Sequence, residues 1–433
     1  MLYKLHKICN QLYNVYYNKT SSKWLEDKRA IDDLDGFWRV HDNLYDVTDF
    51  IDNHPGGKFW LETTKGMDIT EAFETHHIKS EAPEIILQKY FVKKANKPRV
   101  SQYTFHENGF YKTLKRNVRT VLKTLPKDCH KANDMYTDLF FVTAVIFACL
   151  GSAYSTYLFL FIASIFAGFT LLASHNYSHQ RDNFRMLYAE FFMLPAREFR
   201  ILHCISHHAF TNSRLDIQFT IGLPLMNFFP EKKSFVVKYL AWFTTTLFIF
   251  PIIISFLGVM GNIENLIHKR NIINVLTTFA LPFVMYCVGN GTTLSTIGMW
   301  IFILLIANSI FSTVAFTTTH AHPNLYVEGD AMRPAEELDW GIGQLDTIYD
   351  RNEIKGNDFL TYLTFGDHAL HHMFPTLDHS YLKYLYPSLE ETLKKFNIKN
   401  INTTNTIDLY IGFYRQTARE VSKLTPPSLG KLY

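Results

Sequence analysis

The sequence has few cysteines and almost no excess charge. Five cysteines are scattered over 433 residues without a CxxC spacing, which argues against a disulfide framework and against a thiolate metal site. The 43 Lys and Arg residues nearly balance the 40 Asp and Glu residues, and they form no basic stripe of the kind that binds nucleic acid. We therefore expect a protein of reducing, cytosol-facing surroundings that does not bind nucleic acid.

Long apolar runs are absent from the first 138 residues, and the mean hydropathy of −0.04 is too polar for a chain embedded in a membrane throughout. Beyond that point, the runs 139–153 and 157–173 are separated by a polar tripeptide and predict a helical hairpin. Further apolar runs occupy 239–257, 273–288 and 297–316. The pattern predicts a multi-domain protein in which a small α+β domain precedes an all-α membrane domain with about four transmembrane helices.

The polar and apolar stretches divide the chain into four parts. The basic, Pro-terminated stretch from Lys93 to Pro98 is typical of a linker. We expect an N-terminal segment (1–21), the α+β domain (22–95), a linker with an amphipathic approach to the membrane (96–136), and the membrane domain (137–433).

A His-Pro-Gly-Gly sequence marks the first candidate site. Pro-Gly-Gly favours a turn that presents His54, and a second candidate ligand, His76 or His77, follows 22 or 23 residues later. Two neutral imidazoles from separate segments can fill both axial positions of a haem, an arrangement that favours electron transfer over oxygen chemistry. The tetrapeptide alone is more often an ordinary turn with a surface histidine.

The stretch 38–91 around these histidines resembles the cytochrome b5 family. The matching residues are Tyr45-Asp46-Val47-Thr48, Phe50, His54, Gly66, Asp68, Thr70 and Phe73. The resemblance implies a bound haem b with His54 as one axial ligand and with Phe50 and Phe73 lining the haem pocket. It implies His77 as the second ligand, with His76 as the alternative, because the segment after Phe73 is shorter than in free cytochromes b5.

Histidine is the unusually frequent residue, with 19 copies. Eight of them form three clusters, which are His175 and His179; His203, His207 and His208; and His368, His371 and His372. Spacings of three and four residues on a helix put imidazoles on one face, within reach of a shared metal. A single HxxxH is more often a surface or packing feature, but three clusters close to apolar runs favour a metal site. Imidazole suits Zn, Cu, Fe and Ni, and the neighbouring haem domain favours iron, because redox-inert zinc needs no electron supply.

The region 137–390 resembles the membrane fatty-acid desaturase superfamily. The resemblance rests on the three histidine clusters, the apolar hairpin before the first, Thr211-Asn212 after the second, and Met373-Phe374-Pro375 after the third. It implies that the eight histidines bind two non-haem iron ions. A further histidine commonly follows the last membrane span in this superfamily, and His320 or His322 stands in that place; an interfacial turn is the other interpretation of this pair.

A haem domain followed by a desaturase-like domain is similar to front-end fatty-acid desaturases, to sphingolipid desaturases and, most of all, to the insect-type proteins called cytochrome b5-related. His368 departs from the Gln that usually begins the third cluster in front-end enzymes. The resemblance implies an oxygen-dependent desaturase of a fatty acyl lipid or sphingolipid, with dioxygen and an NADH-dependent cytochrome b5 reductase as partners. It implies a multi-pass protein of the endoplasmic reticulum membrane whose haem domain and histidines face the cytosol. The alternatives are a lipid hydroxylase on the same centre and a non-catalytic membrane-bound haem electron carrier.

A single metal centre requires all histidine clusters on one side of the bilayer, so the spans between clusters must come in pairs. Three apolar runs lie between His208 and His320, and one of them therefore should not span. We predict that 239–257, interrupted by Pro251, lies in the interface or re-enters, and that 273–288 and 297–316 form the second hairpin. The loop residues His268, Lys269 and Arg270 favour the cytosolic side.

Three aspartates close to the clusters, Asp182, Asp216 and Asp367, are candidate hydrogen-bond partners for the imidazole N–H groups. Solvated loop carboxylates are the equally good alternative interpretation for each of them.

Overall fold

The structure is a computed structural model that describes residues 20–267, 272–317 and 319–427. Nearly all of the predicted N-terminal segment, and the basic loop residues His268, Lys269 and Arg270, lie outside the described residues. Within the described ranges the chain forms a small N-terminal domain with a sheet and a larger helical domain.

The N-terminal domain is built on a three-stranded antiparallel sheet whose strands pair in the order in which they follow along the chain. Trp38 pairs with Tyr45 across the first two strands, and Asn43 pairs with Lys94 across the second and third. Buried Trp38, Tyr45 and Phe73 form its core. The elements are α1 (Ser21–Asp32), β1 (Trp38–Val40), β2 (Asn43–Tyr45), a 3-10 helix (Thr48–Asn53), α2 (Lys58–Thr64), α3 (Thr70–His76), α4 (Ala82–Gln88) and β3 (Phe91–Lys94). The predicted α+β domain is confirmed.

The segment that follows contains the amphipathic helix α5 (Phe110–Leu122). Its apolar face buries Phe110, Tyr111, Leu114 and Val118 against the C-terminal helices, in a core centred on Trp340 and Phe374. The predicted approach to the membrane is therefore itself packed into the helical domain.

The next two helices, α6 (Lys131–Tyr154) and α7 (Tyr157–Ser178), form the hairpin predicted from the sequence. Ser155, at a φ of 52°, makes the turn, and Gly151 packs closely against Leu160. A short helical region then carries the second histidine cluster. It comprises a 3-10 helix (Phe184–Phe192), α8 (Ala196–Phe199), a π-helix (Arg200–His207), α9 (His208–Phe210), α10 (Ile217–Thr220) and α11 (Phe235–Tyr239).

The remaining apolar helices are α12 (Ala241–Thr244), a π-helix (Thr245–Ile249), α13 (Phe250–Ile267), α14 (Ile272–Val288) and α15 (Thr293–Thr317). Four helical stretches of the described residues are long and apolar enough to cross a membrane, in agreement with the predicted number: Lys131–Tyr154, Tyr157–Ser178, Ala241–Ile267 and Thr293–Ala315. The apolar helix Ile272–Val288 is shorter. One of these four stretches, Ala241–Ile267, overlaps the run 239–257, which we predicted to lie in the interface or to re-enter.

Contacts of the stretch Ala241–Ile267 bear on that expectation. The Leu247 carbonyl accepts a hydrogen bond from Ser309 at 3.0 Å, and Ser255 accepts one from Asn308 at 3.2 Å. Two points of this stretch thus bind neighbouring residues of α15. These contacts do not decide between an interfacial and a spanning position, and the position of 239–257 stays a prediction.

The C-terminal region packs over one end of the membrane helices. Its elements are a 3-10 helix (Ala335–Glu337), α16 (Trp340–Asp346), β4 (Asp350–Arg351), α17 (Asp358–Thr364), α18 (His368–Met373), α19 (His379–Leu382), a 3-10 helix (Lys383–Leu385), α20 (Tyr386–Lys395), β5 (Thr403–Thr404) and α21 (Thr406–Ala418). The strands β4 and β5 form a short parallel pair. Apart from this pair, the domain is helical in its described residues, as predicted.

Candidate functional site

His54 and His77 face each other across a gap in the N-terminal domain, with ring centroids 6.2 Å apart. His54 follows the 3-10 helix, and His77 follows α3. The Nδ1 atom of His54 lies 2.9 Å from the Gly57 carbonyl, and that of His77 lies 3.0 Å from the Phe73 carbonyl. Since Nδ1–H donates to a carbonyl in each case, each Nε2 keeps its lone pair for a ligand.

The surroundings of this pair suit a haem. Phe50 lies edge-on to His54 at 6.2 Å, and Phe73 lies 4.6 Å from His77, so two aromatic rings border the gap. Burial lowers the pKa of His77 to about 4, so that this imidazole is neutral at neutral pH. An available Nε2 lone pair on each side and apolar walls fit a haem.

His76 is set apart from this pair. Its Nδ1 lies 3.1 Å from the Thr75 hydroxyl, and its ring packs edge-on against Trp60 at 5.3 Å. Its carbonyl accepts a hydrogen bond from Thr376, near the third histidine cluster. The geometry therefore favours His77 over His76 as the partner of His54.

The three histidine clusters meet at one end of the membrane helices, where their nitrogens form two adjacent groups. Within each group the potential ligand atoms lie within 4.8 Å of one another; the larger group is His175, His179, His203, His208 and His371, and the smaller is His207, His320 and His372. His368 adjoins the smaller group, with its Nε2 2.8 Å from that of His320. The groups touch where His208 stacks on His372 at 4.1 Å. We call these nine residues the histidine centre.

Three helices bring the clusters together. His175 lies in the last turn of α7, and His179 is the residue that caps the C-terminus of this helix, whereas α18 carries the third cluster. His203 and His207 lie on the π-helix Arg200–His207, and His208 begins α9 directly after it. The wider π turn brings residues five apart onto one face. As a result, the Nε2 atoms of His203 and His208 lie 3.2 Å apart.

Outer hydrogen bonds orient several of these rings. The Nδ1 of His203 lies 2.6 Å from Gln218, and that of His207 lies 2.8 Å from Asp216. The Nδ1 of His320 lies 3.0 Å from the Thr347 carbonyl, and that of His372 lies 3.0 Å from Gln344. Each bond turns the Nε2 of the same ring toward the centre. Burial raises the pKa of Asp216 to about 7, and a cation held by His207 would favour its carboxylate form.

Other nitrogens of the centre are buried and have no partner among the described residues. They include both ring nitrogens of His179 and His371, Nε2 of His372, and Nδ1 of His175, His208 and His368. Unpaired buried polar groups are rare in proteins because each costs free energy, and a bound metal ion supplies the missing partner. The donor set therefore fits a transition metal that prefers imidazole.

Some predicted residues lie elsewhere. His322 accepts a hydrogen bond from the Asn324 amide at 3.1 Å and lies 3.5 Å from Asp408, so that of the two candidates only His320 joins the centre. The Asp182 carboxylate accepts from Arg200, and the Asp367 carboxylate accepts from Tyr386. Of the three predicted aspartates, only Asp216 binds a histidine ring of the centre through its carboxylate.

The sequence reasoning missed Gln218, Gln344 and His379. Gln218 and Gln344 stand in segments without a histidine spacing, so no local pattern marks them. His379 follows the third cluster by seven residues and lies 4.8 Å from His371. Its only sequence signal is an additional histidine shortly after a cluster.

Comparisons with known proteins agree with this geometry. The family model "Fatty acid desaturase" matches residues 152–401, and the model "Cytochrome b5-like Heme/Steroid binding domain" matches residues 23–96. A cytochrome b5-related protein of Drosophila melanogaster is 38% identical over 420 residues, which cover 95% of this chain and 94% of that protein. The chain belongs to the fatty acid desaturase family. Its desaturase domain carries the histidine centre, and a cytochrome b5 domain, which implies a haem, precedes it.

Two further relatives and one negative result complete the comparison. A cytochrome b5-related protein of Drosophila virilis is 49% identical over 120 residues, 28% of this chain and 83% of that protein. The Delta(5) fatty acid desaturase A of Dictyostelium discoideum is 24% identical over 473 residues, 96% of this chain and all of that protein. No solved structure matches the chain.

An apolar cavity of the desaturase domain ends at the histidine centre. Phe199, Phe311 and Phe365 line it beside His175 and His203. The other lining side chains are mostly aliphatic or aromatic and include Leu194, Leu202, Ile221, Phe250, Ile254 and Met260. The cavity thus offers an apolar space in contact with side chains that could hold a metal ion.

The cytochrome b5 domain packs directly on the second histidine cluster. Trp24 donates a hydrogen bond to the Leu215 carbonyl at 2.9 Å and packs near Phe210. Trp60 stacks with the guanidinium of Arg200 at 4.8 Å, and Arg200 in turn binds the Ser178 carbonyl beside His179. These contacts join the two domains through a shared apolar core.

A buried ion pair ties the same domain to α5. The carboxylate of Glu74 binds Lys115 at 2.9 Å and Lys112 at 3.2 Å, and its other contact is His41 at 2.7 Å. Burial alone would raise the pKa of Glu74, but the hydrogen bond to His41 and the two lysine charges outweigh it and hold the pKa well below its ordinary value. Glu74 is therefore a carboxylate throughout the neutral range.

Proposed function

We propose that the protein is an oxygen-dependent lipid desaturase that acts on a fatty acyl chain or a sphingolipid chain. The observation that carries the proposal is the apolar cavity whose lining includes His175, His203, His207, His320 and His368. A saturated hydrocarbon chain has no polar group by which it could be held, so an apolar channel is the fitting site for it. The similarity to the Delta(5) fatty acid desaturase A of Dictyostelium supports an acyl substrate.

Iron at the histidine centre would activate dioxygen, and haem b held by His54 and His77 would supply single electrons. The chain's own residues would provide the surroundings. The nine histidines of the centre would hold two iron ions, and Gln218, Asp216 and Gln344 would keep three of those rings in the tautomer that offers Nε2.

The cavity walls would position the substrate and exclude water. Phe199 stacks on His203 at 5.1 Å, and Phe365 lies 4.5 Å from His175, so aromatic rings cover the histidines on the cavity side. A chain methylene held between them would lie against the metal-binding nitrogens. Exclusion of water protects a strong oxidant from side reactions.

Electron supply would pass through the docked cytochrome b5 domain. His76, the neighbour of His77 in the sequence, packs its ring on Trp60. Trp60 in turn contacts Arg200, the first residue of the π-helix that carries His203 and His207. An NADH-dependent cytochrome b5 reductase would be the external donor. We place the protein in the endoplasmic reticulum membrane, with the haem domain and the histidine centre on the cytosolic side.

Expression in a host of simple lipid composition tests the proposal. Mass spectrometry of total acyl chains and sphingoid bases should find a new double bond with the wild-type chain and none with His371→Ala. The variant His322→Gln is the matched control, because this buried histidine lies outside the centre, and it should keep the product. A new hydroxyl group instead would assign the protein as a lipid hydroxylase. If the expressed protein contained haem and non-haem iron but formed no new product, the result would contradict the proposed enzymatic activity and favour an electron carrier.

A further inference from the structure

His379, the first residue of α19, lies beside the histidine centre although it belongs to none of the three clusters. Its side chain is buried, and its ring centroid lies 4.8 Å from that of His371. The ring is also nearly parallel to His175, with a centroid distance of 5.6 Å and an interplanar angle of 17°. His379 therefore contacts two members of the larger group of the centre.

Both ring nitrogens of His379 are buried and make no hydrogen bond with the part of the chain that the structure describes. A neutral imidazole carries one N–H donor and one acceptor, and burial without partners leaves both unsatisfied. Within the described ranges only His179 and His371 share this property at both nitrogens. Those two histidines belong to the larger group, so His379 has the same chemical signature as its neighbours.

The position of His379 is held from outside by a polar network. Asp378 accepts hydrogen bonds from Asn133 and from Asn176, each at 2.6 Å, and it caps α19 through the Ser380 amide at 3.0 Å. The amide of His379 donates to the Asn176 side chain at 3.3 Å. Because Asn176 directly follows His175, the network fixes His379 in register with the first cluster.

We propose that His379 is a further protein ligand of the metal centre, on the side of His371 and His175. The ligand that it takes is a first-row transition-metal ion that prefers neutral imidazole nitrogen, iron in the proposed function. The inference rests on that proposed function, because it needs a metal in the centre. It adds a tenth histidine, from α19, to the nine of the histidine centre.

The test compares metal affinity in the full-length protein, solubilised with its haem. Removing a ligand should weaken metal binding more than about tenfold, the effect of losing even an outer partner. We expect this loss in His379→Ala and in His379→Gln, measured by competition with a chelator, and a changed visible spectrum after substitution with Co²⁺. His322→Gln replaces a buried histidine outside the centre, whose Nδ1 accepts from the Asn324 amide, and it should bind metal as the wild type does. Wild-type affinity and an unchanged Co²⁺ spectrum in both His379 variants would overturn the inference.

A second measurement needs no variant. In the wild-type protein, diethyl pyrocarbonate should modify His379 and His371 only after a chelator has removed the metal, because a coordinated nitrogen cannot react. Equal modification of His379 with and without metal, while His371 is protected by metal, would refute its role and leave the proposed function intact. A wild-type protein that contains haem but binds no further metal would refute both.

Discussion

A histidine ring has two nitrogens, and the hydrogen bond made by one decides what the other can bind. His54 and His77 each donate a hydrogen bond from Nδ1 to a backbone carbonyl, whereas the Nδ1 atoms of His203 and His207 bind side-chain oxygens. Both arrangements leave Nε2 available. The ligand candidates could be predicted from sequence because helical spacings repeat, but the acceptors could not, since Gln218 and Gln344 come from segments that only folding brings near.

The different surroundings of His76 and His77 predict different effects on haem. His77→Ala should lose haem, as should His54→Ala, because each removes a nitrogen that faces the gap. His76→Ala should keep haem, since its ring packs on Trp60 outside the gap. The Soret absorbance per protein measures the outcome. Retention of haem in His77→Ala together with loss in His76→Ala would reverse the assignment.

The bond between Asp216 and His207 predicts an effect on the metal centre. Asp216→Asn removes the charge that holds the His207 ring, so the affinity for non-haem iron should fall by about 10–100-fold. Chelator competition monitored as non-haem iron per haem is the measurement. Asp182→Asn is the matched control, because this carboxylate binds Arg200 and should leave the affinity unchanged. Equal losses in both variants would contradict the specific role of Asp216.

At the scale of elements, apolar runs located the membrane helices but not their ends. The first run was predicted from residue 139, whereas α6 begins at Lys131. The polar first turns of α6 bind the rest of the domain, because Asn133 donates a hydrogen bond to Asp378 and Asp138 accepts one from Arg185. Hydropathy cannot assign such turns, because their polar side chains are satisfied by residues far away in the sequence. The same limit hid the π-helix of the second cluster, since no composition marks a widened turn.

The ion pair between α3 and α5 predicts a pH-dependent stability. Glu74→Gln leaves Lys115 buried without its main partner, which should destabilise the protein by about 3 kcal/mol at pH 7. Because the folded pKa of Glu74 lies below its ordinary value of 4.5, the wild type has this advantage in full above pH 4.5 and loses it as the pH falls further. Thermal unfolding at several pH values measures both effects. A difference between wild type and variant that persists unchanged at pH 3 would contradict the assigned role of the carboxylate.

At the scale of the whole molecule, the cytochrome b5 domain is held against the desaturase domain near the second histidine cluster. Motifs identified both domains, but their relative position depends on pairs such as Trp24 and Leu215, which are 191 residues apart. Neither residue belongs to a motif, and a single sequence contains no signal that pairs them. The turn at Gly57, with a φ of 100°, passes so close to Asp182 that a side chain there would collide with it. The backbone of one domain thus lies directly against a side chain of the other at this turn.

This docking predicts that variants of the domain interface slow the reoxidation of the haem without changing its reduction. Trp24→Ala removes a buried side chain and its bond to Leu215, at a cost of about 3–5 kcal/mol to the packed interface. Chemical reduction of the haem should be unchanged, but its reoxidation under oxygen with lipid present should slow markedly, because electrons must then cross a mobile gap. Stopped-flow absorbance at the Soret band follows both steps, and Glu26→Ala, an exposed change on the same helix, should behave as the wild type. Unchanged reoxidation in Trp24→Ala, with haem and iron contents preserved, would mean that electron transfer does not depend on the docked arrangement.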